Sequence, residues 1–435
     1  MLMLPGAGGW SLPHFVAREH HEAVVGHINQ VMRDRLGVDT TVLRCAFDTF
    51  DLDAKTVERV YAQENHSPKW APPAGGRWVA REELEALPLA VPAHRPVLSD
   101  WLSETETGNV PPLRHPWART GWFDKASAWI HAQTDRLGIR SLAPIEQVRT
   151  WNWSCILRVG TAAGRLYFKA VSSTFRHEAA LTRLLADDCP GLVPQVLAID
   201  AEQGWMLMKD FDGRSLEKIR NLARWEEAAR LFAEMQIGYV HRCGELLALG
   251  CPHWRPSELS AHIPSLLADT DSMLPDQVGG VSRADIERLR ARAPAFIQLC
   301  NSFDEVKVPH TLGHGDLWSG NIIVSDENTL FFDWSNGFVG HPFLDMTFFL
   351  AEVEEELPGI PHALSRLQDA YLEPWGIYGR PDRLRSTLEA SAAVAWLQRA
   401  IIDHQVVMPN IEDRAKFEFD RMLPYYLNKL LGVSG

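Results

Sequence analysis

Apolar and polar positions change rhythm several times along the chain. Residues 1 to about 102 mix short strand-like runs, such as Thr41-Val42-Leu43-Arg44-Cys45-Ala46-Phe47, with helix-like stretches such as 81–87. Residues 103–121 lose periodicity and hold Gly108, Pro111, Pro112, Pro116 and Gly121, which predicts a linker. Residues 122–137 then carry the period of an amphipathic helix.

From Ile145 the pattern becomes strand-like. The runs 155–159 and 165–169 flank Gly160-Thr161-Ala162-Ala163-Gly164, which predicts a hairpin. A helix over about 175–187 follows, then strands over 196–199 and 205–208. Beyond Leu216 the helical period dominates, over 222–247, 257–268, 283–301 and in several segments after 340. A short β-rich island around 311–334 interrupts it. A small sheet-plus-helix lobe thus precedes a larger helical lobe, with no internal repeat.

Composition narrows the class. At roughly 100–200 residues per domain, 435 residues predict two or three domains. The chain carries 43 Lys+Arg against 56 Asp+Glu and no basic run, so nucleic acid and anionic membranes are not expected partners. Six scattered cysteines without a CxxC pair argue against a zinc site or disulfide framework and fit a reducing cytoplasm. The start, Met1-Leu2-Met3-Leu4-Pro5-Gly6, lacks a basic n-region, and no run of about 18 apolar residues occurs. A cytoplasmic multidomain enzyme is the expectation.

The candidate chemistry lies in His314-Gly315-Asp316-Leu317-Trp318-Ser319-Gly320-Asn321, followed by Phe331-Phe332-Asp333-Trp334. Two carboxylates and an amide sit on tight loops between short apolar strands. Phosphoryl transfer needs one carboxylate to hold the acceptor hydroxyl, and an amide oxygen with a second carboxylate to hold Mg²⁺ against the phosphates. A plainer reading makes these residues loop caps and turn formers.

At these residues the sequence resembles the aminoglycoside phosphotransferase and choline kinase-like group of small-molecule kinases, and the loop wording is similar to that of fructosamine kinases. The resemblance implies an α+β, bilobal protein-kinase-like fold, with Asp316 as catalytic base, Asn321 and Asp333 as magnesium ligands, and His314 bracing the loop. It implies that Lys169 grips the α- and β-phosphates of ATP or GTP and that Glu178 orients it, with Glu146 as a competing carboxylate. Ser154, in the loop 150–154, is the candidate phosphate contact in place of a glycine-rich loop. The backbone around Met208 to Asp210 occupies the position that reads a purine. In His341-Pro342-Phe343-Leu344-Asp345, the Asp would brace the catalytic loop, although helix N-terminal placement is open.

The same resemblance places the acceptor, a small hydroxylated molecule, against the helical lobe. Trp318, Asn336, Glu352, Trp396, Arg399 and His404 are candidates to line its site, each with an ordinary role in the core or on a solvated helix face. The acidic run 352–356 would attract a cationic amino sugar or simply face solvent. Aminoglycosides, amino sugars, glycated amines, macrolides and amino alcohols are all compatible acceptors.

Residues 1–102 resemble, more weakly, a degenerate Nudix domain, through Gly9-Trp10-Ser11-Leu12-Pro13, Arg33-Asp34-Arg35-Leu36-Gly37-Val38 and Gly76 to Pro88. The positions of the metal-binding glutamates hold Val31, Asp34 and Arg35, with Gln30 at the Arg position, so pyrophosphate hydrolysis is not expected there. The run Glu19-His20-His21-Glu22 reads as a surface cluster. The expected organisation is a cap at 1–102, a linker at 103–121, an N-lobe with its leading helix at 122–213 and a helical C-lobe at 214–435. The rival to a magnesium-dependent kinase is a nucleotide-binding regulatory or ligand-sensing protein on the same fold.

Overall fold

The computed structural model describes residues 1–6, 8–17, 19, 21–51, 55–303, 307–326, 328–412 and 420–432. They form two compact units, Met1–Ser172 and Ser173–Gly435. His20, in the histidine run noted above, lies outside the described residues.

In the first unit, strands Thr40–Asp51 and Thr56–Asn65 pair antiparallel over their whole length. Gln147 acts there as a stand-in for a neighbouring strand. Its amide donates to Val42 O at 2.8 Å and accepts from Val42 N–H at 2.7 Å, which satisfies both backbone groups of a buried residue. The helix Arg95–Thr107 runs into the segment expected to be a linker. Leu98 and Leu102, four apart, bury one face with Leu84 and Leu87, and Gly108 at φ +67 stops the helix. Tertiary burial of that face outweighs the turn-rich composition that follows.

The helix Trp122–Arg136 buries Trp122, Ala126 and Ile130, spaced by four. Strands Glu146–Thr150, Ser154–Thr161 and Gly164–Val171 follow in antiparallel order. Cys155, Leu157 and Val159 are fully buried, so alternate positions of the middle strand face the core, as the period of two requires.

In the second unit, helix Glu178–Asp188 precedes the antiparallel pair Val196–Asp200 and Trp205–Lys209. The expected helix over 222–247 is two, Leu222–Gly238 and Cys243–Ala248. The expected helix over 257–268 is interrupted by a 3₁₀ turn at Ser260–His262 before Ile263–Ala268. Pro264 has no N–H to donate backwards, which accounts for that break. Leu222–Gly238 and Ala363–Trp375 share one core with the short strands, around Trp225, Phe232, Phe331, Trp334 and Phe343. Residues 259–303 share a second with the helices Pro381–Ile402 and Met422–Gly432.

Two small sheets carry the candidate site. One pairs Arg214–Ser215 with Ile322–Val324 and then Thr329–Phe331. The other pairs Phe338–Gly340 with Thr311–Gly313 on one side and with His253–Trp254 on the other. No described helix is long and apolar enough to cross a membrane.

Candidate active site

The strand Thr311–Gly313 delivers His314, Gly315 and Asp316 into a loop held from several sides. Asp345, 2% exposed, accepts His314 N–H at 2.8 Å on one oxygen and Gly315 N–H at 2.7 Å on the other. Burial pushes the Asp345 carboxyl up to about 7, while those two N–H groups and Arg399 pull the other way. His314 is fully buried; its Nδ1 accepts Asp316 N–H at 3.3 Å and its Nε2 reaches Phe332 O at 3.0 Å, which selects the Nε2–H tautomer. Gly315 sits at φ +75, and a Cβ there would lie 2.2 Å from Asn336 O, so only glycine fits.

Beneath this loop runs a network that the sequence did not disclose. Gln236, fully buried, donates to Leu312 O at 3.1 Å and Pro342 O at 3.2 Å and reaches Asp345 at 3.4 Å. Tyr371 donates to Gln236 Oε1 at 2.6 Å. Both lie on helices at positions that read as ordinary amphipathic pattern, so no local signal marks them.

Asn321 and Asp333 leave the same end of one hairpin. Ile322 pairs with Phe331, and Asn321 O accepts Phe332 N–H at 3.1 Å, which brings the two residues side by side. The Asn321 amide nitrogen donates to Asp316 Oδ2 at 3.1 Å and Asp316 O at 3.0 Å, which turns its amide oxygen outward from Asp316. Asp333 adopts φ +65, a left-handed conformation that costs a non-glycine residue about 1–3 kcal/mol, and accepts the Ser335 hydroxyl at 3.0 Å. An amide oxygen and a carboxylate are the hard donors Mg²⁺ prefers, and Mg²⁺ commonly completes its shell with water and phosphate oxygens. The donor set therefore fits the ion, although no group of three or more His, Cys, Asp or Glu among the described residues could hold a metal.

Arg399, on the long helix Pro381–Ile402, donates to Gly315 O at 2.9 Å and Asn336 Oδ1 at 3.3 Å, and packs over the rings of Phe348 and Tyr426. Burial works against its charge, but Tyr426 and Asp316 outweigh that and hold it above the usual arginine range. Arg399, Asn336 and Gly315 line a cavity of about 290 Å³. The other four acceptor candidates are not among its lining residues. Glu352 accepts Ser319 N–H at 2.8 Å, so it braces the loop. Trp396, 5% exposed, packs edge-on to Phe348 in the core. His404 bonds Asp269 at 3.0 Å and Gln405 at 2.7 Å, while Trp318 lies across Gly320 and is exposed.

The nucleotide candidates divide between the two units. In the first, Lys169 is buried on its strand, and Glu146 is engaged by Arg158 at 2.6 Å. Ser154 is also buried, and its hydroxyl accepts from the Trp151 indole at 3.2 Å. In the second, Glu178 opens its helix and is 1% exposed. Met208 is the penultimate residue of its strand, and Asp210, just beyond the strand, accepts Phe211 N–H at 3.1 Å.

The model of the phosphotransferase enzyme family matches residues 147–385, more than half of the chain. Comparison with curated protein sequences finds no significant match. A choline/ethanolamine kinase family protein from Mesorhizobium loti is similar in structure at TM-score 0.51 and 16% identity, over 72% of this chain and 94% of that one. Choline kinase from Cryptosporidium parvum Iowa II aligns at TM-score 0.48 and 11% identity, over 72% and 91%. A macrolide 2′-phosphotransferase type I aligns at 0.47 and 15%, over 70% and 96%. At such identities the likeness is one of fold. With a matched region that contains Asp316, Asn321, Asp333 and Asp345 alike, this chain belongs to the phosphotransferase enzyme family and has its kinase-like fold.

Proposed function

We propose that the protein is a magnesium-dependent small-molecule kinase that moves the γ-phosphoryl group of ATP or GTP to a hydroxyl of a small polar molecule. The observation that carries this reading is the bond from Asn321 Nδ2 to Asp316 Oδ2 at 3.1 Å. It orients the Asp316 carboxylate while leaving the amide oxygen available beside Asp333. The acceptor oxygen attacks the γ-phosphorus, the bond to the β-phosphate oxygen breaks, and the hydroxyl proton passes to Asp316. Positioning and charge stabilisation supply most of the acceleration in such transfers. Mg²⁺, held by Asn321 and Asp333, would neutralise phosphate charge. Lys169 and Glu178 would steady the α- and β-phosphates, Ser154 would contact phosphate, and the Met208–Asp210 backbone would read the purine.

On this reading residues 122–213 bind nucleotide, 214–435 bind the acceptor, and the Nudix-like 1–102 form a cap without hydrolytic chemistry. Work in the cytoplasm is part of this reading, because the six cysteines are scattered and form no CxxC pair. The test is ADP or GDP release with Mg²⁺ across hydroxylated metabolites and antibiotics, beside Asp316→Ala. Acceptor-dependent release that the substitution abolishes supports the kinase. Release that survives it removes Asp316 as base, and nucleotide binding without any release favours the ligand-sensing alternative.

A further inference from the structure

The cavity beside the catalytic loop has a size, a charge and a wall chemistry that narrow what it can hold. Its 290 Å³ lies just below the range of about 300–1,000 Å³ typical of sites for drug-sized ligands. A single sugar or cyclitol ring fits such a space. Trp254, Phe338 and Phe348 contribute apolar walls of the kind that stack on the carbon face of a ring.

Among the lining residues, of which Asp316 is not one, an ammonium group finds no open counter-charge. Asp345 is its one carboxylate, and both oxygens are already taken by His314 and Gly315 N–H. Arg399 brings a permanent positive charge to the wall, which repels an ammonium, and lies over the Phe348 ring. His177, also on the wall, is held neutral by burial. What the wall lacks is an acceptor for the amide of Gln398. This lining side chain is 4% exposed, and its Nε2 meets no hydrogen-bond partner among the described residues. A buried donor left unmade is costly, so a small side-chain shift that brings this nitrogen to a ligand's hydroxyl or carbonyl oxygen would relieve it.

We infer that this cavity is the acceptor pocket of the kinase and that it takes an uncharged, hydroxylated molecule of single-ring size, oriented through Gln398, in preference to an amine. The inference rests on the phosphotransferase reading and specifies its substrate class. Transfer then gives a neutral acceptor's phosphate ester and the nucleoside diphosphate, with the hydroxyl proton passing to Asp316.

The experiment uses the full chain with Mg²⁺ and ATP and matched probes: glucose against glucosamine, and myo-inositol against choline. Turnover is measured on wild type, and calorimetric binding on Asp316→Asn, which reads the pocket without chemistry. The expected result is a higher kcat/KM for a neutral member than for its amine partner. Gln398→Leu should raise that acceptor's KM roughly fivefold with the ATP KM unmoved. If thermal melting shows that Gln398→Leu fails to fold, Val406→Phe, which narrows another wall of the cavity, should raise the same KM.

Preference for the amines, a KM unmoved by either variant, or no binding and no turnover with any neutral probe would overturn the inference. Undiminished turnover in Asp316→Asn would instead overturn the kinase mechanism while leaving the pocket's selectivity to be read from binding.

Discussion

The guanidinium of Arg399 donates to the carbonyl oxygen of Gly315 at 2.9 Å, so a helix eighty-four residues downstream holds the residue that precedes Asp316. The same nitrogen reaches Asn336 Oδ1 at 3.3 Å, and the other terminal nitrogen meets Tyr426 Oη at 3.4 Å. One planar cation therefore links the loop that carries Asp316, the segment after Asp333 and the helix Met422–Gly432.

A lysine would keep the charge at this position but could not reproduce the fork. Arg399→Lys is expected to lower kcat by up to about a hundredfold, the scale on which a small displacement of a reacting group acts. The KM for ATP should change little. Steady-state kinetics on a confirmed acceptor checks this, and wild-type kcat in the variant would mean that the charge alone suffices.

Asp345 should leave a pH signature on stability. Its carboxyl is raised from 3.8 to about 7, chiefly by burial, so between those values the folded protein keeps a proton that the unfolded chain has released. The stability this contributes is complete below 3.8 and is lost as pH rises toward 7. In Asp345→Asn that slope disappears, so the variant's deficit relative to wild type should shrink from about pH 4 to about pH 7. An asparagine offers one oxygen to two N–H donors, so the variant should also lose about 1–3 kcal/mol at the acid end. Urea titrations of both proteins across this range measure both effects.

Gly315→Ala combines a backbone penalty with a collision. The left-handed φ of +75 and the 2.2 Å approach of a Cβ to Asn336 O force the loop to move. A fall in Tm equivalent to at least about 2 kcal/mol is expected. Activity should be lost with it, as thermal melting and the release assay together would show.

Ser335 tests the metal assignment at one remove. Its hydroxyl donates to Asp333 Oδ1 at 3.0 Å, so Ser335→Ala leaves Asp333 in place but frees its orientation. Outer-shell partners of this kind are worth about 10–100-fold in metal affinity. The Mg²⁺ concentration for half-maximal rate should rise about tenfold in Ser335→Ala, and Asp333→Asn should need still more. An unchanged Mg²⁺ titration in both variants would remove Asp333 from the metal site.

By itself, the sequence determined the features whose causes are local. The hairpin of Ser154–Thr161 and Gly164–Val171 could be read because its turn and alternating faces lie within eighteen residues. The order Asp316, Asn321, Asp333 could be read because one loop and one hairpin carry all three. The tertiary structure decided whatever depends on partners far along the chain. Gln236 meets Asp345 across 109 residues, and nothing in the helical period of its surroundings distinguishes it from a solvated glutamine. Glu352 reads as part of an acidic surface run until Ser319 N–H is seen to point at it. The strands at Arg214–Ser215 and His253–Trp254 are too short to show any period, and exist only because distant segments pair with them. Local periodicity records which face of an element is buried, whereas a hydrogen bond between distant residues forms only once folding has brought both ends together.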